Sequence, residues 1–142
     1  MSEAVELVET ILGLTGPTDA AARGRLIHPD CEIVMPGAGR LTCEELTAYI
    51  QVFSTAFPRS EQVVDRALEV ADSVVVECRW FGTHTGPFAT PQGQIPATGR
   101  TARTRLCLVC RVREGQVVSI HGYWDQLEML RQLGLIPEPE AV

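Results

Sequence analysis

The sequence predicts an α+β fold in which a curved antiparallel β-sheet wraps around N-terminal helices. Three observations carry this. Apolar residues recur at helical spacing as far as Phe57, and beyond residue 60 the period changes to alternation over four long stretches. The chain has 142 residues, 45% hydrophobic and 21% charged, so one domain over 1–142 with a substantial core is expected.

Ala4 to Leu14 carries Val5, Val8 and Leu12 on one helical face beside Glu3, Glu6 and Glu9, and Gly13 to Pro17 stops it. Asp19 can cap a short second helix through Leu26, after which His28, Pro29 and Asp30 read as a turn into a brief strand, Cys31 to Met35. Pro36 to Arg40 reads as a loop. Thr42 and Glu45 form a Thr-x-x-Glu capping box for a third helix, which Pro58 ends after Phe57. Strands are expected at Gln62 to Ala71, Val74 to Thr83, Arg100 to Arg113 and Gln116 to Trp124, with Asp72-Ser73 and Glu114-Gly115 as hairpin turns. His84 to Gly99 is rich in Pro and Gly and reads as irregular. A last short helix carries Leu127, Met129, Leu130 and Leu133, and Gly134 closes it before a Pro-rich tail. A meander of this kind curls into a cone that helices plug incompletely, leaving an apolar pocket for a small ligand.

Composition narrows the chemistry. Twelve basic residues against eighteen acidic give a net charge of −6 and no basic footprint, so neither nucleic acid nor a membrane surface is an expected partner. All the basic residues are arginine, and the missing lysine excludes Schiff-base, pyridoxal-phosphate and P-loop chemistry. Five cysteines, an odd number without a secretory leader, point to a reducing cytoplasm. Cys107 and Cys110 have metal-knuckle spacing, but three residues apart on a strand they face opposite ways, so no metal site is expected.

What remains is acid–base chemistry by carboxylate and imidazole. On the last strand, alternation places Val117, Ser119, His121, Tyr123 and Asp125 on one face, and Val118, Ile120, Gly122 and Trp124 on the other. The first set is an acid–base cluster if it lines the cone and a polar surface if it does not. Asp125 precedes a helix with Glu128 at capping-box distance, so it reads equally as an N-cap. His84 continues the core phase of Val74, Val76, Cys78 and Trp80, and reads either as a loop-ordering histidine or as a proton carrier. Arginines of Arg100 to Arg113 are expected to face outward or towards an oligomer partner.

Four strings carry a resemblance: Gly82-Thr83-His84-Thr85-Gly86-Pro87, Pro96-Ala97-Thr98-Gly99-Arg100, Arg111 to Val118, and Trp124-Asp125 followed by Leu130-Arg131-Gln132-Leu133-Gly134. Through them the chain resembles the SnoaL-like polyketide cyclases, within the superfamily that shares a fold with nuclear transport factor 2 and ketosteroid isomerase. The resemblance implies a cone with a deep pocket, a homo-oligomer (dimer or tetramer), no cofactor, and an aspartate at the last strand as acid/base, which maps onto Asp125. The neighbouring strand lacks the histidine several relatives place beside that aspartate. The expected activity is therefore ring closure of a polyketide-type substrate by intramolecular aldol condensation. Asp125 would act as base, His121 or His84 as its partner, and Trp80, Tyr123, Met35, Phe53 and Tyr49 would shape the pocket. Isomerisation, hydration, epoxide opening and non-catalytic ligand binding are the alternatives.

Overall fold

The structure, a computed structural model, describes residues 2–137. Helix α1 (Glu3–Gly13) is capped by the Ser2 hydroxyl, which accepts from the Val5 N–H, and buries Val5 and Val8. Helix α2 (Ala20–Leu26) runs directly into strand β1 (Ile27–Met35). His28, Pro29 and Asp30 therefore belong to a strand rather than a turn, and the pairing irregularity between Ile27 and Glu32 accommodates the proline. The stretch from Pro36 is a tight turn that returns as β2 (Gly39–Leu41) against β1. Helix α3 (Cys43–Ala56) begins on the expected capping box, with both reciprocal Thr42–Glu45 bonds made.

Strands β3 (Glu61–Val70), β4 (Ser73–Thr83), β7 (Thr101–Arg113) and β8 (Gln116–Trp124) match the four alternating stretches. Between them the Pro/Gly segment holds a small hairpin, β5 (Phe88–Thr90) with β6 (Gly93–Ile95). The last helix, α4 (Gln126–Gln132), ends before Gly134, and the Pro-rich tail continues past residue 137, outside the described residues. The curved main sheet has the order β2-β1-β8-β7-β4-β3. All its pairs are antiparallel except β1–β8, so the sheet is mixed. The β7–β8 turn places both Glu114 (φ 52°) and Gly115 (φ 76°) in the left-handed region, which is the hairpin geometry that matches strand twist.

Two clusters fill the concave side. One is aliphatic, built on Val8, Ile33, Val74, Val76, Val117 and Ile120. The other is aromatic, built on Ala56, Phe57, Trp80, Phe88, Met129 and Leu133. Phe57 meets Trp80 edge-on at 4.9 Å between ring centroids. Helix α4 is docked to β7 by Gln132, whose amide nitrogen donates to the Arg103 carbonyl at 2.9 Å while its oxygen accepts from the Arg103 N–H at 2.6 Å. A side-chain amide thus imitates a strand partner for β7.

Candidate ligand cavity

Between α3 and the concave sheet lies a cavity of about 170 Å³. Helix α3 contributes Leu46, Tyr49, Ile50 and Phe53, one stripe at i, i+3, i+4 and i+7, which its 3.6-residue period turns inward. From the sheet come Met35, Trp80, Leu106, Leu108, Ile120 and Trp124. Tyr49 packs on Phe53 at 5.2 Å and on Trp124 at 6.2 Å, giving the cavity an aromatic wall. Its hydroxyl donates to the Pro36 carbonyl at 3.1 Å, and burial pushes its pKa well above the ordinary tyrosine value. Exposed Ser60 and Gln62 mark where the cavity meets solvent. Space is left by Gly122: a Cβ there would lie 2.8 Å from the Met35 sulfur and 3.2 Å from the Trp124 ring.

Of the expected pocket residues, Met35, Tyr49, Phe53 and Trp80 border the cavity, whereas Tyr123 is 57% exposed and does not. The expected acid–base set lies elsewhere, for a reason visible in β8. Arg111 pairs with Ser119 but Val112 with Val117, so Val118 is an extra residue and the strand's phase inverts there. Val117, Ile120, Gly122 and Trp124 consequently face inward, and His121 and Tyr123 face outward. His121 Nε2 lies 2.8 Å from Glu32 Oε1, and Glu32 also meets Arg40 at 3.6 Å, a half-exposed surface chain. Asp125 is exposed, and its carboxylate accepts from the Glu128 N–H at 2.9 Å as the N-cap of α4. It borders an open outer groove with Arg79, Phe81, Arg103, Arg105 and Glu128. Thr104 touches both that groove and the cavity.

His84 is fully buried but is absent from the cavity lining. Its Nδ1 accepts from the Thr98 N–H at 3.2 Å and sits 3.0 Å from the Thr98 hydroxyl, and the backbone N–H of His84 donates to the Arg100 carbonyl at 2.9 Å. Because Nδ1 is an acceptor, the proton resides on Nε2, which lacks a well-formed partner. Burial lowers its pKa, opposed by the Gly86 carbonyl. The ring lies between Phe57 and Phe88, and the residue orders the Pro/Gly segment.

Among the described residues the cavity's polar lining is Thr15, Arg23, Ser54, Ser60, Gln62 and Thr104 besides the Tyr49 hydroxyl, with no carboxylate, imidazole or thiol. Arg23 was not among the sequence candidates, although it stands four residues before Ile27, in the core phase of α2. It is 4% exposed; its guanidinium donates to the Leu14 carbonyl at 2.6 Å and to the Thr47 hydroxyl at 3.1 Å. The β7 arginines Arg103, Arg105 and Arg111 are exposed, as their alternation suggests. Burial pushes the thiols of Cys31 and Cys110 up to about 12 and that of Cys78 to about 11, so none offers a thiolate near neutrality. Among the described residues no three His, Cys, Asp or Glu side chains are grouped to hold a metal, and no helix is long and apolar enough to cross a membrane.

The family model for SnoaL-like polyketide cyclases matches residues 6–133. The chain belongs to that family. A search of curated proteins finds no match. Among solved structures, a proposed SnoaL-like polyketide cyclase from Jannaschia sp. CCS1 superimposes with a TM-score of 0.82 at 22% identity, over 95% of this chain and 94% of that one. IdmH, a proposed polyketide cyclase from Streptomyces antibioticus, gives 0.79 at 25% identity, over 94% and 99%. A protein of ketosteroid isomerase-like fold from Catenulispora acidiphila, solved with trimethylamine, gives 0.71 at 20% identity, over 92% and 94%. The SnoaL-like cone, with helices in its concave side, is thus the fold of this chain, and the family points to a small-molecule ligand.

Proposed function

We propose that this SnoaL-like protein takes an apolar, polyketide-type molecule into the cavity and promotes its ring closure by holding the chain folded, without a proton carrier of its own. The observation that supports the reading is the lining: aromatic and aliphatic walls with hydroxyls, one amide and the Arg23 guanidinium, and, among the described residues, no carboxylate or imidazole. Poly-carbonyl chains already contain acidic C–H groups. Bringing the nucleophilic carbon against its carbonyl in a dry site supplies the proximity term that intramolecular reactions exploit. Rigid rings such as Tyr49, Phe53 and Trp124 suit this because they present area with little conformational freedom to lose. The reading includes a homo-oligomer and a cytoplasmic location.

The test is product analysis with a synthetic poly-β-ketone thioester. The wild-type protein is expected to direct it to one ring pattern, and Gly122→Val, which fills the cavity, to abolish that direction. Undirected, buffer-like product mixtures with the wild type would refute the reading. A second reading keeps Asp125 as the base, assisted by His121 or His84, and is favoured by Thr104, which borders both the cavity and the groove of Asp125. Asp125→Asn separates them: loss of turnover by orders of magnitude supports the second, near-native turnover the first.

A further inference from the structure

Arg23 is a buried cation that makes no ion pair among the described residues. Among the described residues no carboxylate lies within 4.0 Å of its guanidinium, and its two hydrogen bonds go to a neutral carbonyl and a hydroxyl. The nearest acid by sequence, Asp19, attracts it electrostatically from farther away, but the Asp19 carboxylate is engaged by the Gly16 N–H at 2.8 Å. A guanidinium has five N–H donors in a planar fork, so two bonds leave it able to receive a further partner. Desolvating such a charge is costly unless something opposite in sign meets it. Burial accordingly lowers its pKa, opposed by the attraction of Asp19. The Leu14 bond explains part of this placement, since the C-terminal end of α1 carries partial negative charge. It does not explain why the group borders an otherwise apolar cavity.

We infer that Arg23 is the anchor for a planar oxyanion, a carboxylate or an enolate, at one end of an otherwise apolar ligand. The inference rests on the reading of the cavity as a ligand site and adds the class of ligand. A planar anion can accept two parallel N–H bonds from the guanidinium edge, the arrangement for which arginine surpasses lysine. In a dry pocket the same contact stabilises negative charge that develops on oxygen during enolisation. The ligand's apolar body then lies along Tyr49, Phe53 and Trp124.

Calorimetric titration with 2-naphthoate and with its neutral methyl ester tests this. The wild-type protein is expected to bind the acid about tenfold or more tightly than the ester. Arg23→Met is expected to erase that preference while ester affinity is retained, and Thr47→Val, which removes one Arg23 partner but no charge, to keep it. Should Arg23→Met fail to fold by circular dichroism, Arg23→Lys serves: the point charge stays, the fork is lost, and the preference shrinks. Equal binding of the two probes by the wild type, or a preference that survives removal of the guanidinium, overturns the inference while the ligand site stands. Binding of neither probe overturns the ligand-site reading and the anchor together.

Discussion

The two faces of β8 differ in the opposite sense from their side-chain chemistry. The outer face holds His121 and Tyr123 and leads to Asp125, the groups with which acid–base catalysis is usually built, yet Asp125 borders an open groove and His121 meets the Glu32 carboxylate at the surface. The inner face holds Ile120, Gly122 and Trp124, which react with nothing, and borders the apolar cavity. Reactive residue types do not make a site by themselves. Exclusion of water does more, because it strengthens each remaining polar contact and lets a ligand bury its surface.

The largest effect expected on the inner side is Trp80→Ala. Trp80 is 8% exposed, packs on Phe57 and borders the cavity, so its removal should cost about 3–5 kcal/mol in chemical denaturation. Gly122→Val comes next. Overpacking against Met35 and Trp124 should cost about 1–3 kcal/mol and weaken binding of an apolar probe at least about tenfold. On the outer side, Asp125→Ala should cost about 1 kcal/mol through loss of the α4 cap, with probe affinity unchanged; a large affinity loss would break the contrast between the faces. Glu32→Gln, which weakens the His121 pair, should cost no more than about 1 kcal/mol, because both partners are substantially solvated.

His84 belongs to the inner side and gives it a pH signature. Its folded-state pKa lies below the ordinary histidine value, so on acidification the unfolded chain takes up the proton first. Stability should therefore fall as pH drops from about 6.5 towards the folded pKa and level off below it. Difference denaturation curves of wild type and His84→Gln should isolate that slope. Identical slopes would mean that the imidazole titrates normally despite its burial.

Much of this was legible beforehand. The Thr42–Glu45 box and the alternation of β4 and β7 depend on neighbours within a few residues, and each appears where local pattern puts it. Met35, Tyr49, Phe53 and Trp80 were recognisable as pocket formers because large apolar residues on inward phases have few other destinations. The side to which Asp125, His121 and Tyr123 face was not legible. Alternation says which residues share a face but not which face is covered, and the extra residue Val118 reverses the phase partway along the strand. Arg23 was overlooked because an arginine on a short helix reads as surface until the end of α1 and Thr47 close around it.

By itself, then, the sequence determined the class of fold, the capped start of α3, the family, and the absence of any lysine with which to do amine chemistry. These follow from short-range patterns and residue inventory. Only the tertiary structure decided the parallel seating of β1 beside β8, the inward face of β8, and the burial of one guanidinium beside an apolar hollow. Each depends on which distant segments meet, and the energies that settle those meetings, burial and desolvation, exist only once the chain has closed on itself.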